Sequence, residues 1–136
     1  MKIAIKSDVG QRRTLNEDAA GYFLNTQNVP MIVVCDGIGG HNAGDVASAM
    51  ALSHLGKRWE EESITDTEAA YQWLVKNIQA ENDRIFQKAN QYRELDGMGT
   101  TIVVAVVIES ELLIANVGDS RAYLYRNYQI KQLTED

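Results

Sequence analysis

The spacing of apolar and polar residues divides the chain into strands at both ends and two helices between them. Short apolar runs bounded by turn residues predict early strands at residues 3–9, 20–24 and 31–35. Similar runs predict later strands at residues 100–108, 111–117, 121–125 and 128–133. The predicted order is therefore three strands, two helices and four strands.

The first predicted helix covers residues 42–59. Val46, Met50 and Leu55, with small residues between them, give it a face that can pack on a sheet. Asn42 is a candidate N-cap, because its side chain can accept a hydrogen bond from the first turn. Asp45 suits that turn, where the positive end of the helix dipole favours a carboxylate.

The second predicted helix begins near Thr65, which forms a possible capping box with Glu68. Apolar residues then recur at the i, i+3, i+4, i+7 spacing that places them on one helical face. This face is predicted to be buried in the core, and it contains Tyr71, Leu74, Val75, Ile78, Ile85, Phe86 and Ala89.

Runs of strands on both sides of a helical pair predict an α+β fold, with antiparallel sheets packed against helices. The length of 136 residues fits one compact domain. Residues 129–136 finish on the last predicted strand with no closing element, so the predicted sheets would leave exposed edges.

The charge balance narrows the range of partners. Nineteen acidic and thirteen basic residues give a net charge of −6, which argues against nucleic acid or an anionic membrane. No apolar run approaches the roughly 20 residues of a membrane span. The single cysteine, Cys35, excludes an intrachain disulfide, and its apolar neighbours predict a buried structural thiol. We therefore expect a cytoplasmic protein.

Asp36 follows an apolar run and precedes a segment rich in glycine that leads into the first helix. Glycine allows unusual backbone angles and close approach, so a carboxylate and backbone carbonyls can converge on a hard cation. A phosphate-binding P-loop is disfavoured, because Asp45 stands where the lysine of that motif belongs. A tight turn that feeds the helix is an equally good interpretation of the segment by itself.

Three charged clusters fall at predicted strand ends or turns. They are Arg13 with Glu17 and Asp18, Asp36 with Gly37, and Asp119 with Arg121. Each cluster alone is more typical of a solvent-exposed loop, but together they indicate loops that meet on a rigid scaffold. Carboxylate and carbonyl oxygens are the ligands preferred by Mg²⁺ and Mn²⁺, and paired metal ions activate water for attack on phosphate esters.

Four motifs, in this order, resemble the metal-dependent Ser/Thr protein phosphatases of type 2C, the PPM family. They are Arg13…Glu17-Asp18, Asp36-Gly37-Ile38-Gly39-Gly40-His41, Gly97-Met98-Gly99-Thr100-Thr101 and Gly118-Asp119-Ser120-Arg121. The second motif is similar to the bacterial branch of the family. The resemblance covers essentially the whole chain. It implies an α-β-β-α sandwich of antiparallel sheets flanked by helices, and hydrolysis of phosphoserine and phosphothreonine in proteins.

The resemblance also implies a metal-binding role for several residues. Asp36 would bridge two Mn²⁺ or Mg²⁺ ions, and the Gly37 carbonyl would bind one of them. Glu17 and Asp18 would act mainly through metal-bound waters, as outer carboxylates do. Asp119 matches the position associated with a third, weaker metal.

Other matched residues are implied to act on the substrate or on packing. Arg13 would hold the substrate phosphate while a metal-activated water attacks phosphorus. Ile38 cannot donate a proton to the leaving group, so that acid stays unassigned. The pair Thr100-Thr101 is interpreted as packing rather than chemistry.

The family's catalytic domain is considerably longer than this chain, and its second half supplies further Asp ligands. Residues 1–136 are therefore interpreted as the N-terminal portion of one such domain, with little or no activity alone. Exposed strand edges predict a homo-oligomer. The substrates implied are proteins phosphorylated by a Ser/Thr kinase. Two alternatives stay open: a non-catalytic interaction module that keeps the fold, and a nucleotide-binding protein built on residues 37–44.

Overall fold

The computed structural model describes residues 18–38, 43–117, 123–126 and 129–132. Its elements in chain order are β1 (Asp18–Leu24), β2 (Pro30–Ile38), α1 (Gly44–Glu60), α2 (Thr67–Gln91), a 3₁₀ turn (Arg93–Leu95), β3 (Gly99–Thr100), β4 (Ile102–Ile108), β5 (Glu111–Val117), β6 (Tyr123–Arg126) and β7 (Gln129–Gln132). The strand predicted at residues 3–9 lies outside the described residues. The described elements confirm two helices between an early and a late group of strands.

The main sheet is antiparallel, with strand order β1-β2-β4-β5 and the short strand β3 paired to the end of β2. β6 and β7 form a separate two-stranded antiparallel sheet. The predicted α+β class with antiparallel sheets and helices is therefore confirmed. β2 extends three residues past its predicted end at residue 35, so Asp36 and Gly37 lie within a paired strand rather than in a loop.

The core lies between the main sheet and the helices. Met31, Val33 and Cys35 alternate along β2 and are fully buried, as are Leu55 and Trp59 on α1. Because successive side chains of a strand point to opposite faces, these three β2 residues define the face that the helices cover. The burial predicted for Cys35 is confirmed.

Close packing of α1 on β1 depends on one glycine. A Cβ atom built on Gly56 would overlap the ring of Phe23, so a side chain at this position would have to displace that ring from its place between the helix and the strand. The packing also brings Trp59 against Trp73 of α2, with ring centroids 5.1 Å apart in an edge-to-face arrangement. These contacts fix how both helices lie on the sheet.

The opposite face of the main sheet carries apolar side chains that neither described helix, α1 or α2, covers. Four of its exposed residues are Tyr22, Leu24, Val34 and Leu112. Contiguous apolar surface of this kind marks a contact face in soluble proteins. It fits the second layer of the predicted sandwich, and that layer stays a prediction.

The predicted helix starts need correction. α1 begins at Gly44 with Ala43 at the N-cap, and there is no side-chain capping bond because the methyl group of alanine cannot accept one. The Ala43 carbonyl accepts from the Val46 and Ala47 N–H groups. Asn42 lies outside the described residues. α2 is capped by Asp66, whose carboxylate accepts from the Ala69 N–H at 2.8 Å. The capping box predicted at Thr65 is therefore wrong by one residue.

The buried face predicted for α2 is only partly right. Leu74, Ile85 and Ala89 are buried, and Ile78 is half-buried. Tyr71, Val75 and Phe86 are instead 50–66% exposed. The buried stripe is Ala70, Trp73, Leu74, Glu81, Ile85 and Ala89. The buried stripe contains a charged residue, Glu81, which the apolar pattern does not select. The sequence therefore favoured a neighbouring stripe made only of apolar residues.

In the part of the chain that the structure describes, neither α1 nor α2 combines the length and apolar character needed to cross a membrane.

Candidate metal-binding site

Two of the predicted site residues meet on the main sheet. Asp18 opens β1, and it is the direct antiparallel partner of Asp36 near the end of β2. Directly opposed residues lie with Cα atoms about 4.5–5.5 Å apart and side chains on the same face. Two carboxylates in such positions repel each other, and a cation between them lowers that repulsion.

The strand alternation decides which way Asp36 faces. Cys35 is fully buried against the helices, so Asp36, one residue later, lies on the other face and is only half-buried. Its carboxylate is therefore accessible at the end of a rigid strand. Gly37 follows it and is buried, with no side chain to block approach to its backbone.

A segment far along the chain holds this strand end in place. β3 pairs Gly37 with Thr100 and Ile38 with Gly99. The Asp36 N–H donates to Thr101 Oγ1 at 3.2 Å, and the Thr101 N–H donates to the Asp36 carbonyl at 2.9 Å. The third motif of the sequence is thus folded directly onto the second.

The interpretation of Thr100-Thr101 as packing rather than chemistry fits the burial of Thr101, and the structure adds hydrogen bonds to it. Thr101 is buried, but its hydroxyl accepts the Asp36 amide proton. The Thr100 hydroxyl lies 3.2 Å from the Asp36 carbonyl oxygen and can donate to it. Both peptide groups of Asp36 are thus held by these two threonines. The break between β3 and β4 at Thr101 also divides the single strand predicted at residues 100–108.

Beneath the strand end lies the Cys35 thiol. The pKa of the Cys35 thiol is raised from 9.0 to about 12, chiefly by burial. A hydrogen bond with the Thr100 side chain acts to lower this pKa, and the negative charge of Glu81 acts to raise it. Because the thiolate is disfavoured, Cys35 is an inert structural group at neutral pH.

Sequence reasoning missed a buried carboxylate between the helices. Glu81 of α2 is fully buried, and its two oxygens lie 2.7 Å from His54 Nδ1 of α1 and 2.9 Å from an Arg84 nitrogen. A buried carboxylate requires such partners. The available signal was its position: Glu81 lies seven residues after Leu74 and four before Ile85, within the buried stripe.

The remaining predicted site residues, Arg13, Glu17 and Asp119, lie outside the described residues. Within residues 18–38, 43–117, 123–126 and 129–132, no group of three or more His, Cys, Asp or Glu is placed to hold a metal ion. The described part of the site thus offers Asp18, Asp36 and backbone carbonyls. These hard oxygen donors fit Mg²⁺ or Mn²⁺ in chemistry, and they form an incomplete set.

Comparisons with known proteins agree with this chemistry. The family model described as protein phosphatase 2C matches residues 11–136. The serine/threonine phosphatase stp of Listeria monocytogenes is 46% identical over 137 residues, an alignment that covers all of this chain and 54% of that relative. The chain therefore spans about half the length of this curated relative.

Solved structures give the same result. The crystal structure of serine/threonine phosphatase Stp1 from Staphylococcus aureus superposes with a TM-score of 0.90 at 46% identity, covering 95% of this chain and 51% of that one. The catalytic domain of the phosphatase PstP, in complex with 2 manganese ions, superposes with a TM-score of 0.79 at 32% identity over 96% of this chain and 54% of that one. Since the family model covers most of the sequence and the fold matches as well, the chain belongs to the protein phosphatase 2C family.

Proposed function

We propose that this chain forms part of a metal-dependent protein phosphatase that hydrolyses phosphoserine and phosphothreonine. The observation that carries the proposal is the opposed pair Asp18 and Asp36, set at the end of a strand where the sequence turns glycine-rich. Membership of the family supports phosphate-ester chemistry at this pair. The proposed substrates are proteins phosphorylated by a Ser/Thr kinase.

The proposed cofactor is a pair of Mn²⁺ or Mg²⁺ ions, with a third, weaker ion near Asp119. Bound ions would supply the Lewis acidity that makes water a nucleophile near neutral pH. Asp36 would bridge the pair through its carboxylate, and the backbone carbonyl of Gly37 would serve one ion. Asp18, with Glu17 before it, would orient solvent by accepting hydrogen bonds, as carboxylates around metal sites do.

Arg13 is proposed to bind the substrate phosphate. A guanidinium presents its N–H donors in a planar fork that matches two phosphate oxygens. Its place in the first charged cluster, four residues before Glu17, supports a position next to the acidic pair. Such a contact strengthens as negative charge develops on the transferring group.

We further propose that residues 1–136 are the N-terminal portion of a phosphatase domain and have little activity alone. Asp18 and Asp36 are the two carboxylates that the described structure places together, and two carboxylates do not neutralise two divalent ions. Further acidic ligands would have to come from elsewhere. The relatives, of which the chain covers about half, are long enough to provide them.

The test compares the 136-residue chain with a chimera in which the remaining segment of the Listeria relative follows Asp136. We expect Mn²⁺-dependent release of phosphate from a phosphothreonine peptide by the chimera, and little or none by the chain alone. Asp36→Ala should abolish the chimera's activity. Asp83→Ala should not, because Asp83 is an exposed residue on α2. Equal activity of wild type and Asp36→Ala would contradict the proposed role of the acidic pair.

The alternative is a non-catalytic interaction module that retains the fold. The separate observation in its favour is the exposed apolar sheet face around Val34. A chimera that folds with a cooperative thermal transition, but neither binds Mn²⁺ nor releases phosphate, would favour this alternative.

A further inference from the structure

We propose that the Thr100 hydroxyl is a positioning group for the metal site, because it fixes the peptide that joins Asp36 to Gly37. This inference rests on the proposed function, in which both residues bind the ions. Thr100 touches neither ion nor substrate in this proposal. It acts through the backbone of the residues that do.

The contacts of the hydroxyl show how one side chain can do this. Thr100 Oγ1 lies 2.8 Å from the Thr101 carbonyl oxygen and 3.2 Å from the Asp36 carbonyl oxygen. Its residue is also the β3 partner of Gly37. The hydroxyl therefore links β2, which carries Asp36, to the neighbouring strand β3 and the residue that follows it.

The position of the Asp36 carbonyl matters because it belongs to the same rigid plane as the Gly37 amide. Gly37 has no Cβ, so its own backbone preferences are broad. Holding the preceding peptide fixes one side of Gly37, and the β3 pairing of Gly37 with Thr100 restrains the side that carries its carbonyl. Outer contacts that orient metal ligands typically change metal affinity about 10- to 100-fold when they are lost.

The experiment uses Thr100→Val, which keeps the β-branched shape and removes the hydroxyl, in the chimera that extends past Asp136. Mn²⁺ affinity is measured by electron paramagnetic resonance of free Mn²⁺. We expect affinity to fall about tenfold or more. The loss of turnover at limiting Mn²⁺ should be relieved by excess Mn²⁺, since Thr100 acts on the binding of the ions and contacts no substrate. Thr100→Ser, which restores the hydroxyl, should recover most of the affinity.

Thr26→Val is the matched control. The Thr26 hydroxyl also donates to a backbone carbonyl, that of Glu62, at 2.8 Å. Thr26 lies in the turn between β1 and β2, at the opposite end of the strands from Asp18 and Asp36. This variant should lose a comparable hydrogen bond without any change in Mn²⁺ affinity.

A second readout needs no metal. The Thr101 amide donates to the same Asp36 carbonyl, so its hydrogen exchange reports whether that carbonyl is held. In the metal-free 136-residue chain, Thr100→Val should accelerate exchange at Thr101 relative to Thr26→Val.

The outcomes separate this inference from the proposed function. Wild-type affinity for Mn²⁺ in Thr100→Val, with unchanged exchange at Thr101, would overturn the positioning role alone. A wild-type chimera that binds no Mn²⁺ would overturn the proposed function and this inference together.

Discussion

At the scale of single residues, the proposed metal site predicts that stability depends on a divalent cation. Any ligand that binds only the folded state stabilises it by mass action, by about 2.7 kcal/mol at a concentration 100 times its Kd. We therefore expect Mn²⁺ to raise the melting temperature of the chimera, and Asp36→Asn to remove most of that rise. Calorimetry with and without Mn²⁺ measures the effect. Asp83→Asn is the control, and an undiminished rise in Asp36→Asn would argue against this metal site.

The raised pKa of the Cys35 thiol predicts that the folded state becomes less stable in alkaline solution. Its pKa is raised on folding, from 9.0 to about 12, chiefly by burial. Its contribution is therefore complete below pH 9 and is lost as pH rises toward 12. Between these values the unfolding free energy of wild type should fall relative to Cys35→Ala by up to about 1.4 kcal/mol per pH unit. Urea unfolding at several pH values measures the difference, because the other alkaline groups are common to both chains.

Residue types in the sequence were enough to propose Asp36 as a site residue and to predict a buried Cys35, whose burial is confirmed. The opposition of Asp18 and Asp36 was not predictable, because the register of β1 on β2 depends on pairing across the turn. The role of Thr100 was also hidden, since its partner is 64 residues away in the chain. Contacts of this range follow from the topology of the sheet, which spacing along the sequence does not encode.

At the scale of elements, mutation can distinguish the N-cap that the structure gives α2, Asp66, from the one that the sequence favoured, Thr65. The Asp66 carboxylate accepts from the Ala69 N–H, so Asp66→Ala should destabilise the chain by about 1 kcal/mol. Thr65→Ala should have little effect, although the sequence favoured Thr65 as the cap. Urea denaturation of both variants measures the two costs. A larger loss in Thr65→Ala would show that the helix begins one residue earlier in solution.

The same helix shows why a sequence pattern predicts that a helix forms better than it predicts which side of the helix is buried. Residues 67–91 carry two adjacent apolar stripes, and either could face the sheet by spacing alone. Packing selected the one with Trp73, which meets Trp59 of α1. The fully buried Glu81 is tolerated there because His54 and Arg84 supply its partners. Sequence spacing predicted the helix correctly and could not anticipate that ion-pair cluster.

At the scale of the molecule, the two faces of the main sheet differ. Helices α1 and α2 cover one face, and the other exposes apolar side chains such as Tyr22 and Val34 in the described structure. Burial of such surface contributes about 25 cal/mol per Å². A chain with this face uncovered gains free energy by covering it, either with a further segment of a longer domain or with a second copy.

The 136-residue chain alone should therefore form dimers or larger assemblies, as its exposed strand edges also predict. The chimera should be a monomer if its added segment covers the apolar face. Light scattering on size-exclusion fractions measures both masses. Val34→Lys, on that face, should shift the chain toward monomer, whereas Phe86→Lys, exposed on α2, should not. A monomeric wild-type chain would contradict the prediction, and equal effects of the two lysines would mean that association does not use this face.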